Sequence, residues 1–224
     1  MNYYSVNSLA VPPQKVIAYF VTSHGYGHAT RSIAVINEVN AITDEVHFLI
    51  VCDLPEWFWS QGLDSSVNYS IFNTKTDIGL CQIDPFNFDL QKSLKKVREF
   101  INKPVQDFHE LFTTLAHQKP SLIVCDISPL GLKLANALGV KSTLIENFTW
   151  DWIYADYVKE CTEFNEISKG LQDIYQMAGL RIQATPFCEF HKDAIQVNPI
   201  HRKFKSSKKM IKDRLKIPEN QQMI

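Results

Sequence analysis

Val16-Ile-Ala-Tyr-Phe-Val-Thr-Ser-His-Gly-Tyr-Gly-His-Ala-Thr-Arg31 decides the fold. Its first six residues, Val16 to Val21, are apolar or β-branched and make one buried strand. The chain then turns through Ser23-His24-Gly25-Tyr26-Gly27-His28 and enters a helix over Ala29 to Ile36. Strand, glycine-containing turn, helix is the opening unit of a doubly wound α/β domain. There the turn lines the ligand crevice and the helix N-terminus favours anions. Two histidines occupy that turn.

The 224 residues suffice for one large domain. A hydrophobic content of 45% and a charged content of 21% are those of an ordinary globular protein. A net charge of −1 gives no reason to expect nucleic acid as a partner. No apolar run approaches the roughly 20 residues of a membrane-spanning helix. Residues 1–14 lack the pattern of a signal peptide and are expected to form a disordered tail. Cys52, Cys81, Cys125, Cys161 and Cys188 are odd in number and scattered, which fits free thiols in a reducing cytoplasm better than disulfides or zinc.

Further strands are predicted at 45–52, 67–72, 121–125, 140–145, 180–185 and 194–197. Between them, Leu90, Leu94, Val97 and Ile101 recur at helical spacing, continued past Pro104 by Val105, Phe108, Phe112 and Leu115. Pro129 to Leu138, with Gly139 as stop signal, Phe148 to Val158 and Phe164 to Met177 read as further helices. This alternation predicts a parallel sheet. Thr74 to Asp89 reads as an irregular excursion outside the core. The expected Rossmann-like domain runs over 15–198. In the remaining stretch, 199–224, eight of the 23 basic residues fall between Arg202 and Lys216, predicting a solvated linker and a surface helix capped by Ser206 or Ser207. That basic end is also a candidate for peripheral contact with an anionic membrane.

Gly25-Tyr-Gly27 begins a dinucleotide fingerprint, and Asp53 ends the second strand about where a ribose-binding acid would sit, but Thr30 replaces the third glycine. His28 and Asp126 offer different chemistry. Both are placed at carboxyl ends of parallel strands, which open on one edge of the sheet. An imidazole oriented by a carboxylate can take a proton from a hydroxyl. Arg31, one turn into the helix, suits a phosphate or a salt bridge. Asn147 and Trp150 follow a strand end in the same crevice and could bond and stack on a sugar, although packing is the commoner role of a tryptophan. Trp57, Phe58 and Trp59 are adjacent, so they cannot all face one core, and one is expected to be exposed. No cluster has metal-ligand spacing.

His24-Gly-Tyr-Gly-His28-Ala-Thr-Arg31 and Val124-Cys-Asp126-Ile-Ser-Pro129 resemble the N-terminal domain of glycosyltransferases of the GT-B type. MurG has a comparable glycine-rich loop without the doubled histidine. A nearer resemblance is to the glycosyltransferase-like N-terminal region of arabinokinases and related bacterial proteins. It is carried by 22–31, by Asp77-Ile-Gly-Leu-Cys-Gln82-Ile-Asp84, by Glu146-Asn-Phe-Thr-Trp-Asp-Trp-Ile-Tyr-Ala-Asp-Tyr157 and by 202–218.

The resemblance implies the N-terminal half of a GT-B fold and transfer of a sugar from a nucleotide sugar to an acceptor hydroxyl. His28 would be the base and Asp126 its orienting acid. Ser23, His24, Gly25, Tyr26, Gly27, Thr30, Arg31, Asn147 and Trp150 would contact substrate. No metal or other cofactor is expected. The donor would be held mainly by a C-terminal domain in cis, and the acceptor would be a small molecule or a lipid. A non-catalytic sugar- or nucleotide-binding domain, a nucleotide-sugar epimerase and a nicotinamide-dependent oxidoreductase are the other readings.

Overall fold

The computed structural model describes residues 15–204 and 206–221. The tail expected at 1–14 lies outside them, as do Lys205 and 222–224. Seven strands form one parallel sheet in the order β3-β2-β1-β4-β5-β6-β7. They are β1 (Lys15–Val21), β2 (Val46–Cys52), β3 (Asn68–Asn73), β4 (Leu122–Asp126), β5 (Ser142–Glu146), β6 (Leu180–Ala184) and β7 (Ile195–Val197). The helices are α1 (Tyr26–Ile42), α2 (Glu56–Gly62), α3 (Leu90–Asn102), α4 (His109–Gln118), α5 (Pro129–Leu138), α6 (Trp150–Ala155), α7 (Phe164–Tyr175) and α8 (Lys208–Leu215).

The unbroken apolar character of β1 has a direct cause. Ala18 and Phe20 face a core built with Leu94, Leu115, Leu130 and Phe164 from α3, α4, α5 and α7. Tyr19 and Val21 face the opposite core, with Ile33 and Ile36 of α1 and Trp59 of α2. A strand buried on both sides cannot alternate apolar with polar residues.

Local signals set several boundaries. Ser128 caps α5, accepting from the Gly131 N–H at 3.3 Å, with Pro129 in its first turn and Gly139 closing it at φ 65°. Asp89 caps α3, and Ser207 caps α8. The stripe from Leu90 to Leu115 resolves into α3, a short 3-10 turn at Val105–Asp107, and α4.

Three expectations need correction. Helix α1 begins at Tyr26 rather than Ala29, because Gly25 takes φ 82° as its N-cap and Tyr26 then packs on Phe58, ring centroids 4.7 Å apart. His28 therefore stands in the first turn of the helix, just beyond the strand end. Thr74–Asp89 is irregular but not outside the core, since Thr76 and Asp77 are buried. Thr76 Oγ1 donates to the Val21 carbonyl at 2.9 Å, and its own carbonyl accepts from Ser128 Oγ at 3.3 Å. These bonds stitch the loop to the ends of β1 and β4. Finally, Pro199 and Ile200, placed in the linker by sequence, line a cleft of the domain, and Ile200 packs on the α1 side of the core.

Candidate functional site

The sheet order places β1 beside β4, with Val21 paired to Asp126 at their carboxyl ends. From there the chain departs to opposite faces, α1 on one and α5 on the other. Such a reversal point opens a crevice between the two departing loops. It holds a cleft of about 400 Å³ lined by His24, Gly27, His28, Arg31, Asn147, Phe148, Ala184, Thr185, Pro199 and Ile200.

Asp126 is fully buried and anchors three side chains. His28 Nδ1 lies 2.7 Å from Asp126 Oδ1. Arg31 donates from Nε to Oδ2 at 2.8 Å and from a terminal nitrogen to Oδ1 at 2.5 Å. Ser32 Oγ donates to Oδ2 at 3.2 Å. The other terminal nitrogen of Arg31 donates to Asn147 Oδ1 at 2.9 Å, tying the helix to the loop after β5. Burial alone would raise the Asp126 carboxyl, but the Arg31 charge and the hydrogen bonds from Arg31 and His28 outweigh it and hold the group below the ordinary carboxylate range.

The ionised carboxylate only accepts, so the proton on the facing imidazole nitrogen belongs to His28 Nδ1. In the neutral ring that leaves Nε2 as a lone-pair acceptor, without a hydrogen-bond partner among the described residues. Phe148 meets the His28 ring edge-on, centroids 5.5 Å apart. Arg31 balances the charge of Asp126, so the carboxylate acts on His28 chiefly by fixing its tautomer and ring plane.

Ile127, next to Asp126, is fully buried at φ 49°. A β-branched residue in the left-handed region is strained by about 1–2 kcal/mol. Burial and the 2.8 Å bond from the Tyr175 hydroxyl to its carbonyl hold it there, which fixes how Asp126 is presented.

A second group is built around His24, which lines the same cleft. His24 Nε2 lies 3.2 Å from Asp77 Oδ1, and the Trp150 indole N–H donates to Asp77 Oδ2 at 2.9 Å. The His24 ring lies against Gly79, and the Tyr154 hydroxyl donates to the Gly79 carbonyl at 2.7 Å.

Of the residues proposed from sequence to touch substrate, His24, Gly27, His28, Arg31 and Asn147 line the cleft. Ser23, Gly25, Tyr26 and Thr30 do not; Gly25 shapes the turn and Tyr26 points toward α2. Trp150 is nearly buried and serves Asp77. Arg31 is committed to Asp126 and Asn147, the salt-bridge role. Among the three adjacent aromatics, Trp59 is buried and Trp57 is half exposed. Sequence reasoning assigned no role to Asp77, Ser32 or Phe148. The only signal for Asp77 was its membership of a motif in an otherwise polar loop.

All five cysteines are free. Among the described residues, no helix is long and apolar enough to cross a membrane, and no group of three or more His, Cys, Asp or Glu side chains could hold a metal ion.

This fold is shared with UDP-glycosyltransferases of the GT-B type. A UDP-glucosyltransferase from Polygonum tinctorium capable of glucosylating indoxyl superposes with a TM-score of 0.51 at 11% identity, over 89% of this chain and 55% of that one. Phytolacca americana UGT2, complexed with UDP-2fluoro-glucose and pterostilbene, gives 0.50 at 14% identity over 89% and 57%. A UDP-glucose: anthocyanidin 3-O-glucosyltransferase in complex with UDP gives 0.51 at 12% identity over 76% and 47%. The chain thus spans about half the length of these transferases. No protein-family model matches it. Among curated proteins it is similar to L-arabinokinase of Arabidopsis thaliana, 29% identical over 209 residues, which are 92% of this chain and 20% of that protein. The chain spans about a fifth of that relative.

Proposed function

We propose that the chain is the acceptor-side domain of a glycosyltransferase, which moves a sugar from a nucleotide sugar to an acceptor hydroxyl. The observation that carries this reading is His28, anchored through Nδ1 to a buried carboxylate with Nε2 left free, beside a cleft at the carboxyl edge of the sheet. The shared fold supports it.

In this reading the acceptor hydroxyl sits against His28 Nε2. Its proton passes to that nitrogen as the oxygen bonds to the anomeric carbon of the donor, and the nucleoside diphosphate departs with the electrons of the broken bond. Asp126 holds the ring in the required tautomer and keeps its hydrogen bond from Nδ1 as Nε2 takes the proton. Arg31 and Asn147 keep Asp126 and the loop after β5 in register. A second Rossmann-like domain in cis would hold the nucleotide, and no metal or other cofactor is assigned. His28 is the catalytic residue; Asp126 and Arg31 are positioning residues.

The test is a transfer assay on this chain joined to its donor-binding domain, with UDP-sugars and hydroxylic acceptors and the product read by mass. Wild-type protein is expected to yield a glycosylated acceptor and His28→Ala almost none. Equal product from both would overturn the assignment.

A further inference from the structure

Asp77 is 2% exposed and sets a carboxylate behind His24, which lines the cleft. One of its oxygens is satisfied by Trp150. The other, Oδ1, has no aligned donor among the described residues, although His24 Nε2 stands 3.2 Å away. A buried carboxylate oxygen without a donor is costly, and a small rotation of the His24 ring would complete it. The ring has room for nothing else on its Gly79 side, where a Cβ would fall 2.3 Å from His24 Cε1. On another side the Trp150 ring meets it edge-on, centroids 4.9 Å apart.

His24 and His28 are therefore built alike and oppositely. Each is set against a buried carboxylate and an aromatic edge, His24 through Nε2 and His28 through Nδ1. Each lines the same cleft, and each keeps its other ring nitrogen without a hydrogen-bond partner among the described residues. Once a small rotation turns its Nε2 proton onto Asp77 Oδ1, 3.2 Å away, the neutral His24 ring presents Nδ1 as an acceptor. Two ring acceptors, with Asn147 lining the same cleft, suit a ligand carrying more than one hydroxyl.

Resting on the glycosyl-transfer reading above, we propose that the acceptor is a polyhydroxylated ring. One hydroxyl donates to His28 Nε2 and reacts, while a second donates to His24 Nδ1 and sets the regiochemistry. Asp77, Trp150 and Gly79 are the positioning residues of His24. A site built to hydrogen-bond a hydroxyl discriminates strongly against a ligand lacking it.

Histidine-labelled chain titrated with myo-inositol, methyl β-D-glucopyranoside and cyclohexanol, followed through the ring signals of His24 and His28, tests this. At least one polyol is expected to shift both signals saturably, and cyclohexanol to leave His24 unmoved. His24→Phe, which keeps an aromatic ring, should weaken polyol binding about tenfold, and His24→Gln, which restores an acceptor, should recover part of the loss. A His24 signal unmoved by either polyol, or moved equally by cyclohexanol, overturns the proposal. The wild-type titration stands even where a variant fails to fold. Binding here needs neither donor nor transfer, so its failure is separate from failure of the transfer assay.

Discussion

Asp126 couples stability to the candidate chemistry at the scale of single residues. It is buried together with a nearly buried Arg31, so removing either charge leaves the other uncompensated. Asp126→Asn is expected to destabilise the chain by about 3–5 kcal/mol in denaturant unfolding. The pH dependence follows from the lowered carboxyl. Its stabilisation is complete above the unfolded value of about 3.9 and is lost progressively as pH falls from there through the lower folded value. The gap between wild type and Asp126→Asn should therefore be constant above about pH 3.9 and narrow as pH falls below it. Glu146 behaves oppositely. Burial raises its carboxyl, against a 2.8 Å hydrogen bond from Gln183. The native state then binds its proton more tightly than the unfolded chain, so Glu146 costs stability as pH rises from the unfolded value toward the folded one. Glu146→Gln should raise the melting temperature at neutral pH, with the gain shrinking as pH falls from the raised folded value toward the unfolded value of about 4.3 and absent below it.

The element that sequence described least well is the loop between β3 and α3. Its polar composition and lack of periodicity gave no reason to place it in the core, because its anchors are long-range. Thr76 bonds to the ends of β1 and β4, Asp77 to Trp150, and Gly79 to Tyr154. Gly79 is also required locally, at φ 63° with the His24 ring against it. Gly79→Ala should cost about 1–2 kcal/mol and displace His24, visible as a change in that ring's signals with those of His28 preserved. Trp150→Phe removes the donor to Asp77 and should cost about 1–3 kcal/mol. The strands and α5 were legible because their causes are local: apolar runs buried on both faces, Ser128 and Pro129 at one end, Gly139 at the other. The start of α1 was misplaced by three residues because the positive φ of Gly25 and the packing of Tyr26 on Phe58 are tertiary facts.

For the whole molecule, strand order does what no motif could do alone. Placing β1 beside β4 brings residues 28 and 126 within hydrogen-bond distance across 98 positions of sequence. The pairing was legible because strand-end residues of a parallel sheet share an edge, whereas the participation of Arg31, Ser32 and Asn147 in one network depended on side-chain reach. In the same way, the entry of Pro199 and Ile200 into the cleft was hidden by their position after the last strand. The central claim is that His28, fixed by Asp126, takes the acceptor proton during sugar transfer. The most direct measurement is the transfer rate of His28→Ala against wild type, with the donor-binding domain present and both substrates saturating. The account predicts a loss of about 10²–10⁴-fold with donor affinity unchanged; transfer by His28→Ala at the wild-type rate would contradict it.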